Sequence, residues 1–242
     1  PPLGPPPAAL APPGAPPPGL ASPRAAAVPA LFADWRAFEA PPLRDGAPDY
    51  TRATLAERLG ELVSFRTRLA ELERRNWPRS ERIDLEILRA EINGFDFHAR
   101  TLKPWERDPA FYSTTDLGFG PKLHGAISVP KLPLKKADVA PLAAKLRAVP
   151  AILQQARKNL TDARGDLARL AIVQKRIERN VYDRFAQDAA KQHPSLVQPA
   201  RDARDAADRF IAWLEEAASK LPPHGGIGKQ EYDWYLRNVL LF

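Results

Sequence analysis

The sequence predicts an all-α protein, built as an irregular bundle of six or seven mostly antiparallel helices. Two observations predict this fold class. Apolar residues recur every three or four positions over several separate stretches, which is the spacing of one helix face. The 27 prolines cluster between these stretches and in a leader segment, so they mark boundaries. The apolar share of 44% is ordinary for a globular protein and is enough to bury a core.

The first 27 residues form a low-complexity segment of proline, alanine and glycine. Proline donates no backbone hydrogen bond, and the segment offers few side chains to a core. We therefore predict an extended tether over residues 1–27 and a helical domain over residues 28–242. Such a tether suits the stretch between a removed export signal or lipid anchor and a folded domain. A linker with no role beyond spacing is the alternative.

Three helical patterns open the predicted domain. In the first, Leu31, Trp35 and Phe38 share one face, and two prolines follow. The second covers about residues 51–75 and pairs a leucine stripe with a charged opposite face. The third covers about residues 80–102 and is apolar over a wide arc, which predicts burial against several neighbours.

Residues 113–136 show no clear period and are rich in glycine and proline. We predict one long loop here, and the stretch GAISVPKLPL can hold one short strand. Connections of this length in compact domains are often functional or mobile.

Three further helical patterns and a last helical piece complete the domain. They cover about residues 139–160, residues 167–185 and residues 203–221, and the glycine-rich turn HGGIG leads to the final piece. The second pattern predicts an apolar face formed by five side chains: Leu167, Leu170, Ile177, Val181 and Phe185.

The charge pattern argues against nucleic acid as a partner. The net charge is +7, but basic and acidic side chains are interspersed and form no basic block. An anion-binding helical protein is a weaker alternative. The absence of cysteine excludes disulfides and thiol catalysis. No apolar stretch reaches the length of about 18 residues that predicts a transmembrane helix.

No complete catalytic or metal-binding motif is present, so we predict no catalytic residue and no metal ligand in this chain. A zinc helix of the His-Glu-x-x-His type needs two histidines four residues apart, and no two of the four histidines lie within one helical turn. The stretch 225–229 is not a phosphate loop, because it lacks the earlier glycine and the following Ser or Thr.

The glycine-rich turn and the aromatic residues after it supply the candidate substrate-binding residues, His224, Gly226 and Tyr232. Tyr232, Trp234 and Tyr235 either line a cleft or pack the last helix onto the bundle, and packing is the more common role.

Four stretches, taken in order, resemble the N-terminal half of a bacterial family known as domain of unknown function 885. They are RSERIDLEILRAEINGFDF, WERDPAFY, KLRAVPAILQQARKNL and HGGIGKQEYDWYLRN. The resemblance covers about residues 50–242. The family is similar to helical zinc metallopeptidases, its members are often exported, some as lipoproteins, and its zinc motif, His-Glu-x-x-Pro-Gly-His, lies in the C-terminal half.

That motif is absent from this sequence, so no metal ligand or catalytic glutamate can be assigned to any of its residues. The resemblance implies a helical, cleft-forming part that is inactive alone and binds no cofactor itself. It also implies zinc in a missing C-terminal half, which would be the partner, with a peptide as substrate. The implied location is periplasmic or extracellular. The alternative is an all-α scaffold or binding module without peptidase activity.

Overall fold

The computed structural model describes residues 26–44 and 46–242. The predicted tether lies outside these residues except for Ala26 and Ala27, and the first helix begins at Ala27. None of the helices in the described part of the chain combines the length and the hydropathy needed to cross a bilayer.

Seven α-helices of ten residues or more dominate the described chain, which confirms the predicted all-α bundle. A single-turn helix, α4, lies between the third and fourth of them. The helices are α1 Ala27–Glu39, α2 Arg52–Glu73, α3 Arg79–Phe97, α4 Pro104–Arg107, α5 Lys136–Asn159, α6 Gly165–Ala189, α7 Val197–Ala218 and α8 Lys229–Asn238.

The strands of the structure lie outside the loop in which the sequence predicted one. Two short antiparallel strands, β1 Leu43–Arg44 and β2 Ala47–Pro48, form a hairpin ahead of α2. Within the predicted loop, the expected strand is reduced to one parallel bridge between Thr115 and Ile127. The hairpin strands have two residues each, which is too short for an alternating pattern to appear in the sequence.

The first hydrophobic cluster joins α1, α2 and α3 around the fully buried Trp35. The indole ring lies edge-on to Phe65, with ring centroids 5.3 Å apart, a geometry that aromatic pairs favour. The wide apolar arc predicted for α3 is only partly buried, because Ile83 and Ile87 are exposed. Leu59 of α2 packs both against this cluster and against a second, larger hydrophobic cluster.

The second and larger cluster lies among α5, α6 and α7. Here α7 presents a row of fully buried alanines, Ala200, Ala203 and Ala207, and α6 contributes Ala168 and Ala171. Small side chains allow helices to approach closely, so there is little free volume beside them.

We expect Ala207→Leu to lower the free energy of unfolding by about 1–3 kcal/mol, because three added heavy atoms have no space at this fully buried position. Urea unfolding followed by circular dichroism measures the change. The control Ala144→Leu, at an exposed position of α5, should stay within about 0.5 kcal/mol of the parent. Equal effects at the two positions would contradict the close packing of α7.

Candidate functional site

The predicted substrate-binding residues lie on the turn between α7 and α8 and at the start of α8. His224 is exposed, and a Cβ at Gly226 would meet nothing within 4 Å. The Tyr232 side chain is 54% exposed. Within the described chain no hydrogen bond or ring contact joins His224 or Gly226 to Tyr232. Substrate binding by these three residues stays a prediction.

The glycine-rich turn is held against the start of α6. Asp166 Oδ2 accepts a hydrogen bond from the Gly225 amide at 3.0 Å, and Arg107 Nη2 donates to the Gly225 carbonyl at 3.3 Å. The hydrogen bond that the Gly225 N–H donates to Asp166 lowers the pKa of this carboxyl. A Cβ at Gly225 would lie 2.7 Å from Leu167 Cδ1, so this position requires a glycine or a shift of Leu167.

Asp108 has an unusual environment beside this turn. Burial raises the pKa of its carboxyl to about 6, and the negative charge of Asp166 adds to the increase. The Ala110 amide donates to Asp108 Oδ1 at 2.9 Å and partly offsets that increase. This bond caps the short 3₁₀ turn Pro109–Tyr112. The carboxyl therefore changes charge close to neutral pH.

Two of the three aromatic residues of α8, Trp234 and Tyr235, pack this helix against α3. The Trp234 ring stacks on Phe97, with centroids 5.5 Å apart and planes 9° apart. Tyr235 also contacts Phe97, at 5.1 Å between centroids. Packing is therefore the role of Trp234 and Tyr235, the more common of the two roles considered for them.

Part of the apolar stripe predicted for α6 is exposed instead of buried, which corrects the sequence prediction. Within that stripe, Leu170 and Ile177 are 46% and 37% exposed, Leu167 and Val181 are half-buried, and Phe185 is buried in the second cluster. Val173, outside the predicted stripe, is 54% exposed on the same side of the helix. The inward face consists of alanines together with Gln174, Lys175, Glu178 and Tyr182. The reason is local: the inner face of α6 meets the backbone of the loop after Tyr112, whose polar groups need polar partners.

A buried ion pair lies at the centre of that inner face. Lys175 Nζ is 3.0 Å from Glu178 Oε2, and both side chains are fully buried. Glu178 also accepts hydrogen bonds from Ser113 Oγ at 2.5 Å, from Thr114 Oγ1 at 2.8 Å and from the Thr114 amide at 3.2 Å. Lys175 donates to the Tyr112 carbonyl at 2.5 Å. The network fixes the start of the long loop to α6.

The electrostatics of this network follow from burial. Burial holds the pKa of the Lys175 ammonium below its ordinary value, and the adjacent Glu178 carboxylate offsets this only in part. The Tyr182 hydroxyl is within hydrogen-bond distance of Thr114 Oγ1, at 2.8 Å. Burial raises the pKa of Tyr182. Lys175, Glu178, Ser113, Thr114 and Tyr182 form a set that we interpret as a structural clamp. Their polar atoms hydrogen-bond to one another and to the loop backbone.

The clamp supports one wall of a cavity, which we call the α5 cavity. Its volume is 340 Å³, and it lies between the β1–β2 hairpin, the loop segment 123–127 and the middle of α5. Thr114 belongs to both the clamp and the cavity lining. The sequence contained no signal for this cavity, because its walls come from three segments far apart in the chain.

A more open groove runs beside the outward face of α6, and we call it the α6 groove. Its volume is 860 Å³. Ile177, Val181 and Phe185 supply apolar surface, and Lys131 and Arg184 also line it. Neither of these two cations forms an ion pair or hydrogen bond with another described residue. Asp188 lines the groove as well, so it combines apolar surface with charges of both signs.

Metal-binding side chains are not grouped in the part of the chain described. Across residues 26–44 and 46–242, no set of three or more histidine and carboxylate side chains is placed to hold a metal ion. We assign no metal ligand or cofactor-binding residue within these ranges.

Removing one partner of the buried ion pair should be costly. We expect Glu178→Gln to lower the free energy of unfolding by about 3 kcal/mol or more, because Lys175 would remain buried without a counter-charge. The double variant Lys175→Met/Glu178→Leu should lose less, since no charge is left buried. Chemical unfolding of the three proteins tests this. A loss under about 0.5 kcal/mol for Glu178→Gln would contradict the assigned network.

The pKa of Asp108 predicts a pH effect with a definite sign. Because this pKa is about 6 in the folded chain, against an ordinary value of 3.8, ionisation opposes folding. The stability contributed by the protonated form is complete below pH 3.8 and is lost as pH rises through 6. Asp108→Asn stays neutral and keeps the acceptor for Ala110. Its stability relative to the parent should therefore rise by about 2–3 kcal/mol between pH 4 and pH 7.5. A difference that does not vary with pH would contradict this assignment.

Comparison with solved structures finds a likeness in fold. The structure is similar to that of a candidate lipoprotein of unknown function from Shewanella oneidensis, with a TM-score of 0.69 and 19% sequence identity. The match covers 90% of this chain and 42% of that chain. The chain thus spans less than half the length of that protein.

Comparison with protein families agrees with the resemblance found in the sequence. No curated protein matches the chain. Residues 36–241 match the family described as bacterial protein of unknown function, DUF885. This range includes α2 to α8 and most of the residues of both hydrophobic clusters. The chain therefore belongs to the DUF885 family of bacterial proteins.

Proposed function

We propose that the chain is the helical, cleft-forming N-terminal part of an exported, metallopeptidase-like protein and is inactive alone. Its partner is its own C-terminal half, or an equivalent segment, which supplies the zinc site. A peptide is the proposed substrate. The role of this part is to wall the cleft and to position the substrate.

One observation carries this proposal: α6 presents large apolar side chains away from its own bundle. Leu170, Val173 and Ile177 lie on that outward face. Exposing such a stripe costs free energy unless another element covers it, and contiguous exposed apolar surface is typical of interfaces. The α6 groove adds the half-buried Val181 to the same side. We infer that a second structural unit packs here and that the two units border the cleft.

The comparison with the solved structure supports a larger assembly. The chain covers 42% of the solved relative, so in a protein of that length most of the fold lies outside the matched region. The zinc motif implied by the resemblance is also absent from this sequence. Placing zinc and the catalytic groups on the second unit agrees with both facts.

Export is supported by the likeness to a candidate lipoprotein. We propose a periplasmic or extracellular location, with the proline- and alanine-rich residues 1–27 as the tether to a lipid anchor.

The alternative is an all-α binding module without peptidase activity, and the α5 cavity favours it. A preformed apolar cavity of 340 Å³ is large enough for a ligand without any second unit. Catalysis separates the two functions, because a binding module gains no peptidase activity when the second unit is added.

The test compares the chain alone with the chain plus the segment that corresponds to the uncovered part of the solved relative. We expect the chain alone to neither bind zinc stoichiometrically nor cleave a fluorogenic peptide library, and the mixture to do both. Val173→Asp/Ile177→Asp should weaken association by about 100-fold, because two charges would be buried in the interface.

The control Val63→Asp changes an apolar side chain that is 62% exposed on α2. It should associate normally. Zinc-dependent cleavage by the chain alone, or association unaffected by the two α6 substitutions, would refute the proposal.

A further inference from the structure

The α5 cavity has the size and lining of a ligand site. Leu123, Ile127, Val149 and Ile152 are buried residues in its wall. Ligand pockets in proteins start at about 300 Å³ and are mostly apolar, with a few polar groups that orient the ligand. An apolar cavity of about 150 Å³ already admits benzene, so 340 Å³ leaves room for a longer apolar body.

The polar groups of the lining are unequal, and this restricts the ligand. Thr114 Oγ1 is already engaged by Glu178 and Tyr182. Lys145 and His124, in contrast, are exposed side chains, and Lys145 has no ion pair or hydrogen bond with any described residue. The free positive charge therefore lies where the cavity meets solvent. A ligand that matches both the apolar wall and the positive charge of Lys145 has an apolar body and one anionic group.

The walls are fixed before any ligand arrives. The Ile127 amide donates to the Thr114 carbonyl at 2.8 Å, and the Leu123 amide donates to the Ser113 carbonyl at 2.9 Å. Ser113 and Thr114 are in turn held by Glu178. A preformed site spends little free energy on ordering, so binding retains more of the contact energy.

We propose that the α5 cavity binds a carboxylate amphiphile, with its apolar body against Ile127, Val149 and Ile152 and its carboxylate at Lys145. A medium-chain fatty acid and the C-terminal residue of a peptide that ends in a large apolar side chain share this chemistry. The site is formed within the described chain, so the proposal does not depend on the second unit or on peptidase activity.

Isothermal titration of the whole 242-residue chain tests the proposal with two matched pairs of probes. One pair is decanoate and decanol, and the other is N-acetylphenylalanine and its amide. In at least one pair the carboxylate should bind about ten-fold more tightly than the neutral analogue, which corresponds to about 1.4 kcal/mol. A carboxylate preference between decanoate and decanol identifies a fatty acid as the source. A carboxylate preference between N-acetylphenylalanine and its amide identifies a peptide end.

Four variants complete the test. Lys145→Gln should remove the preference for the carboxylate, while Lys158→Gln, at an exposed position of the same helix, should keep it. Ala148→Trp should fill the cavity and abolish binding, and Ala126→Trp serves the same purpose from the loop if Ala148→Trp fails to fold. Absence of binding by all four probes, equal affinity within both pairs, or a preference that survives Lys145→Gln would overturn the proposal.

Discussion

The buried ion pair between Lys175 and Glu178 is the interaction on which the architecture around α6 depends. Transferring two charges to the interior costs several kcal/mol per ion, and attraction between them offsets this only when hydrogen bonds satisfy the remaining polar atoms. Here Ser113, Thr114 and the Tyr112 carbonyl supply those bonds. The loop after Tyr112 is consequently ordered against α6, although its composition is that of a mobile connection. The wall of the α5 cavity is a direct result.

The same ion pair explains the orientation of α6. A helix that uses its inward face for alanines and a polar clamp must place its large aliphatic residues elsewhere. In this chain they lie on the opposite face, where Val173 is 54% exposed. The helix therefore has two interfaces, a polar one that organises its own bundle and an apolar one that is open to a partner. This division connects the stability of the fold to the proposed function.

The sequence predicted the helices well because their apolar residues follow a regular period and prolines interrupt them. It also predicted family membership, since that depended on four local stretches. It could not predict which side of α6 is buried. A stripe such as Leu170 and Ile177 has the same pattern whether it faces its own core or a second unit. The ion pair was equally hidden, because Lys175 and Glu178, three residues apart, match an ordinary solvated pair on a helix surface. The α5 cavity combines residues from distant segments, and no local pattern contains that information.

The central claim is that the outward face of α6 is covered by a second unit, and thiol labelling measures this directly. The chain has no cysteine, so Val173→Cys, Ile177→Cys and the control Val63→Cys each introduce one reactive group. The labelling rate is compared with and without a segment that corresponds to the part of the solved relative outside the match. Our account predicts that labelling at the two α6 positions falls by at least about ten-fold when this segment is present, while the Val63→Cys rate stays constant. Equal labelling rates at the α6 positions in both samples would contradict the account.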